Sequence, residues 1–198
     1  SEHFINDGEK ARCVLTNPHI LIADRRIATN SQIKNILEAM VKAGKTELLV
    51  IGLDVEGEAL ASFILNHGRR AMNIACIQAP YKGQAQKDFL TDLAILTGGK
   101  VVSEEAGMFL DKVGMEVLGT ADQVIVDKDE TIIAGGKADE ALLKERIAHI
   151  GDVIEKTVEW DRKVAEERLA GLTSGIGVIK VGAFTADELR LKRDKIED

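Results

Sequence analysis

The sequence predicts an α/β domain in which helices cover a β-sheet core. Short β-branched runs alternate with longer stretches of helical periodicity, and glycine-containing punctuation closes several of the helical stretches. With 198 residues, 45% of them hydrophobic and 30% charged, the chain carries enough apolar material to bury a core. Strands are expected at HILIA (19–23), ELLVIG (47–52), NIACIQ (73–78), QVIVDK (123–128), TIIAG (131–135) and GVIKVG (177–182). Helices are expected over 31–43, 57–67, 84–96 and 138–172, the last broken at Gly151. TIIAGG directly after QVIVDKDE reads as a hairpin turning at Asp129–Glu130, which argues against a purely parallel dinucleotide-binding sheet.

Composition narrows the function. A net charge of −7 without a basic run excludes an electrostatic nucleic-acid surface. No apolar stretch approaches the roughly 20 residues of a membrane span, and no signal-peptide pattern opens the chain. Cys13 and Cys76 sit among apolar neighbours (ARCVL, NIACIQ) and read as buried free thiols in a reducing, cytoplasmic compartment. The chain starts at Ser1 and stops at Asp198 inside a charged helical pattern without a C-capping glycine, so it reads as a piece of a longer protein.

Motifs for chemistry are sparse. TGGK (97–100) and AGGK (134–137) miss the phosphate-loop spacing, and no G-x-G-x-x-G follows a strand, so these glycines are expected to end helices. His3, His19, His67 and His149 are scattered, with no H-x-x-x-H, C-x-x-C or G-x-S-x-G. The one acidic cluster is Asp54, Glu56 and Glu58 between a strand and a helix. It suits a divalent ion or acid–base work, or simply complements a helix dipole.

The more informative feature is apolar. At 100° per residue, Ala59 and Phe63 define one stripe of the 57–67 helix, Leu60 and Ile64 a second, and Ala61 and Leu65 widen the arc to roughly 240°, where docking on a core needs about 100°. The preceding helix places Ile33, Ile36 and Met40 on one stripe with Leu37 and Val41 along its flank. Such a surplus fits a helix buried on both sides or an exposed groove for another chain. From the residues alone three classes stand: a polypeptide-binding module, a small metal- or nucleotide-dependent enzyme using Asp54, Glu56 and Glu58, and a scaffold whose apolar helices form an oligomer interface.

KAGK (42–45), DVEGEALA (54–61), DLAILTGGKVVSEE (92–105) and GVIKVGA with the closing IED, in this order along the chain, resemble the group I chaperonins, the GroEL family. The resemblance implies an apical domain over residues 1–176, with a layered β-sheet core flanked by helices, and the first strand and truncated helix of the intermediate domain over 177–198. It implies capture of non-native polypeptides, and of the co-chaperonin mobile loop, on a groove formed by His3, Phe4, Lys34, Leu37, Val41, Leu60, Ile64, Leu65 and Asn66. Lys34 stands where the family has a groove leucine, and His3 where it has an aromatic residue. Asp198 matches the aspartate that serves ATP hydrolysis in the longer protein, a seven-membered ring using ATP and magnesium. The piece itself is then expected to hold neither cofactor, to be inactive as an ATPase and to be monomeric.

Overall fold

The computed structural model describes residues 2–180. The longest apolar runs, His19–Ala23 (β2), Glu47–Gly52 (β4) and Asn73–Gln78 (β6), form the parallel centre of one sheet, together with the short Val101–Val102 (β7). The order is β6-β4-β2-β7, and Gly119–Thr120 (β8) lies antiparallel along the same edge of β2 as β7. Leu21, Ile22, Leu49, Val50 and Ile51 lie within 1% of full burial, the signature of a sheet covered on both faces. The helices Asn30–Lys42 (α1), Gly57–Gly68 (α2) and Gly83–Thr97 (α3) bury Ile33, Ile36, Met40, Ala59, Phe63, Leu90 and Leu93 in that same core.

A second, antiparallel sheet is built from Cys13–Thr16 (β1), Gln123–Val126 (β9), Glu130–Ala134 (β10) and Ile176–Lys180 (β11), in the order β1-β9-β10-β11. A two-stranded parallel pair, Arg26–Ile27 (β3) with Asp54–Val55 (β5), completes the strands of the described residues. The chain is thus of the α/β class. The β9–β10 hairpin forms, but it turns at Lys128–Asp129, one residue earlier than expected, and Glu130 is already in β10: the Asp127 carboxylate accepts from the backbone N–H groups of Asp129 (2.7 Å) and Glu130 (2.8 Å), an Asx turn that fixes the reversal. Cys13 is buried and Cys76 half-buried, both as free thiols. Burial, with the nearby charge of Glu47 adding to it, pushes the Cys13 thiol up to about 12.

Gly151 does not break the long helical stretch. It lies inside Glu140–Lys156 (α4), with open space around its Cα, and the chain reverses at Thr157–Val158, both extended, before Glu159–Ser174 (α5). A glycine inside a helix costs only about 1 kcal/mol relative to alanine. The packing of Ile150 on Ala165 and Leu172, with Leu96 of α3, sets where the hairpin turns. The strand read from Gly177 begins at Ile176 and pairs with β10 along its whole length, Ile176 opposite Ala134 and Lys180 opposite Glu130. The helical pattern of 185–198 lies outside the described residues.

The two glycine motifs turn out to face each other. Gly98 ends α3 in the left-handed conformation (φ 73°), and a Cβ there would lie 2.3 Å from the Lys137 carbonyl oxygen. A Cβ on Gly136 would lie 2.3 Å from the Leu96 carbonyl oxygen, so TGGK and AGGK permit one close backbone crossing.

Candidate functional site

The candidate groove depends on how α1 and α2 are held. Gln32 reaches back from the first turn of α1, its Oε1 accepting from the Ala28 (2.8 Å) and Thr29 (3.0 Å) backbone N–H groups. The Ala28 carbonyl in turn accepts from the Ala59 N–H (3.0 Å), which satisfies one of the orphan donors of α2. Gly57 makes this approach possible: its φ is +58°, and a Cβ would fall 2.9 Å from the Ala28 oxygen. Gly57→Ala is therefore expected to destabilise the chain by about 1–3 kcal/mol in urea unfolding, through strain in a left-handed position and a backbone clash. An unchanged midpoint would show that the junction yields.

A polar clasp joins the same ends of the two helices. Ser62 Oγ donates to Asn30 Oδ1 (2.6 Å), and the Asn30 N–H points at Glu58 Oε2 (3.4 Å), placing an acid at the positive end of α1. Glu56 instead pairs with Arg26 (3.2 Å), and Asp54 Oδ1 accepts from the Val55 N–H (2.8 Å). The three carboxylates thus serve three separate partners, and among the described residues no group of three histidine, cysteine, aspartate or glutamate side chains is arranged to hold a metal.

The wide apolar arc of α2 resolves into a gradient. Ala59 and Phe63 are buried, Leu60 and Ile64 are half-buried against the core, and Leu65 is 50% exposed. On α1 the next stripe beyond Ile33, Ile36 and Met40 carries Lys34, Leu37 and Val41, of which Leu37 is half-buried and Val41 is 65% exposed. The other flank of α1 is covered by a 3-10 turn at Leu110–Lys112, with Asn35 Nδ2 donating to the Asp111 carbonyl. Leu37, Val41, Leu60, Ile64 and Leu65, with the exposed Ala61, are therefore apolar surface left on this helix pair. Lys34 is exposed beside it, its Nζ 4.0 Å from Glu38 Oε1. A pair this long and this exposed holds the ammonium only weakly.

The remaining candidate positions fall elsewhere. Asn66 is half-buried and donates to the Ser62 carbonyl (2.8 Å), so its amide is occupied within α2. Phe4 is not on the surface: it is 3% exposed and meets His67 edge-on, ring centroids 5.6 Å apart. His3 is exposed and lines a polar depression of about 580 Å³ with Ile5, Asn6, Glu47, His67 and Asn73. Asp198 lies outside the described residues. An apolar cavity of about 520 Å³, lined by Tyr81, Phe89, Leu93, Leu96, Leu172 and Val178 among others, lies between α3, α5 and β11 and includes none of the groove residues.

The sequence reading missed the Asn30–Glu58–Ser62 clasp and His67. The Leu60–Ile64 stripe continues to position 67 at helical spacing, but the partners of His67 are far away in sequence. Among the described residues no helix is long and apolar enough to cross a membrane. No protein-family model matches the chain.

Proposed function

We propose that the chain is a polypeptide-binding module of an ATP-driven folding chaperone, the apical portion of a group I chaperonin, which captures non-native segments on the face shared by α1 and α2. One observation carries the reading: the apolar surface of both helices runs past the core and ends in the open at Val41 and Leu65, flanked by half-buried Leu37, Leu60 and Ile64. Removing such side chains from water contributes about 1.5–3 kcal/mol each when burial is complete and requires no particular partner sequence. Association entropy offsets much of this, so one module binds weakly, and a ring of modules multiplies the effect through effective concentration.

Lys34 adds a preference. Its methylenes can lie along the groove while the ammonium stays in water, which favours amphipathic segments bearing a carboxylate. In this reading the co-chaperonin mobile loop competes for the same face. The described residues are assigned no part in nucleotide chemistry; ATP and magnesium belong to the longer ring protein, with Asp198 as its hydrolytic aspartate.

The test is fluorescence polarisation of a labelled co-chaperonin mobile-loop peptide titrated with the chain. Binding is expected for the parent sequence, with at least about a tenfold loss (1.4 kcal/mol) in Leu60→Glu/Ile64→Glu. Because Leu60 and Ile64 touch the core, Val41→Glu/Leu65→Glu is the companion variant, altering exposed positions alone. A parent chain that does not bind, or a folded Val41→Glu/Leu65→Glu chain that binds as well as the parent, overturns the reading.

A further inference from the structure

We propose that His67 is an acid-opened latch that ties the 2–5 segment to the end of α2. Its Nδ1 accepts the Ile74 backbone N–H at 3.1 Å, so the neutral ring carries its proton on Nε2. The same ring stacks edge-on against buried Phe4, which closes the 3-10 turn Glu2–Phe4. The Ile5 backbone lies close enough to favour the charged form of the ring. One imidazole therefore joins three elements: the C-terminal turn of α2, the start of β6 and the segment preceding β1.

A proton on Nδ1 turns its acceptor into a donor facing another donor. The Ile74 hydrogen bond is then lost at a half-buried site, where an unpaired donor is costly. The groups facing the ring set the balance. Burial pushes His67 below its ordinary 6.5, while the Ile5 backbone and the Glu47 carboxylate on β4 pull the other way. His3 from the 3-10 turn and Arg70 beyond α2 line the same depression, and β6 presents the uncharged Asn73. Because the closed form has the lowered value, closure is favoured in full above 6.5 and is lost as pH falls through that lowered value. Each unit of lowering makes opening about tenfold easier below both values.

Opening would release Phe4 at the end of the Leu60–Ile64–His67 stripe, adding a phenyl ring to the exposed apolar face. The latch does not depend on what that face binds.

The experiment is an NMR titration of the whole chain from about pH 7.5 to about pH 5, following the His67 ring and the amides of Phe4, Ile5 and Ile74. The ring is expected to titrate below 6.5, and all three amides to move with the same midpoint. In His67→Gln, whose side-chain oxygen can accept from Ile74 without titrating, that step should vanish. A ring titrating at or above 6.5, amides that ignore its protonation, or an unchanged step in His67→Gln overturns the proposal. If His67→Gln does not fold, the parent titration decides alone.

Discussion

Asp92→Ala is expected to lower the thermal midpoint of the chain by roughly 10 °C, corresponding to about 3–5 kcal/mol. Asp92 lies on α3 with its side chain 6% exposed, and two guanidinium groups converge on it. Arg146 Nε of α4 donates to Oδ1 at 2.7 Å, and Arg168 Nε of α5 donates to Oδ2 at 2.5 Å. Arg168 reaches Asp88 as well, at 3.5 Å. Burial alone would ease the proton off Arg168, yet the hydrogen bonds and charges of Asp92 and Asp88 outweigh it and hold the guanidinium more firmly cationic. Truncating the carboxylate removes the charge that both guanidinium groups share, and leaves Arg168, 8% exposed, only its longer contact with Asp88. The loss should appear in calorimetry and be accompanied by faster amide exchange across 140–174. Arg162→Ala is the control: its pair with Glu166 (3.2 Å) is exposed and should contribute almost nothing. Equal effects from the two variants would mean that Asp92 does not clamp the α4–α5 hairpin.

Phe63→Ala should cost a comparable 3–5 kcal/mol, and Leu65→Ala less than about 0.5 kcal/mol, although the two residues are only two positions apart on one helix. Phe63 is 1% exposed and fills the space between α2 and the parallel sheet, so truncation leaves a cavity that neighbouring strands cannot close. Leu65 is 50% exposed and already half in water. Equilibrium urea unfolding of both variants separates the structural stripe of α2 from its surface stripe. If Leu65→Ala proves as damaging as Phe63→Ala, Leu65 is part of the core and the candidate groove loses its outer wall.

How much of this was readable in advance follows from what the chain encodes locally. β4 and β6 run over the expected residues because ELLVIG and NIACIQ are continuous apolar runs bounded by polar residues, the pattern of strands covered on both faces. The α2 stripe was readable because helical spacing is a property of neighbours. β1 was not expected: CVLT is four residues long and its alternation too brief to stand out. Nor were β3, β5, β7 and β8, two residues each, which exist only because a partner strand passes. The break at Thr157–Val158 was misplaced to Gly151 because glycine weakens a helix locally, whereas the reversal is fixed by distant packing. Asp92 and Arg168 carry no mutual signal in the sequence; only folding places them together. Phe4, read as a groove residue, is covered by His67, a contact across 63 positions that no local pattern announces.

The strand order β1-β9-β10-β11 has a kinetic consequence. Its two inner strands form a hairpin whose residues meet across a four-residue turn, whereas Cys13 must find Val126 before the first edge is laid down. Closing long loops is slow compared with closing short ones. The hairpin is thus the natural template; β1 joins it across a chain that β2 and β4, pairing across the span of α1, help to shorten, and β11 joins it across α4 and α5. Until then the hairpin has two open edges and the chain is at its most aggregation-prone. A nascent copy of this sequence is therefore most vulnerable after residue 134 has emerged and before residue 180 has.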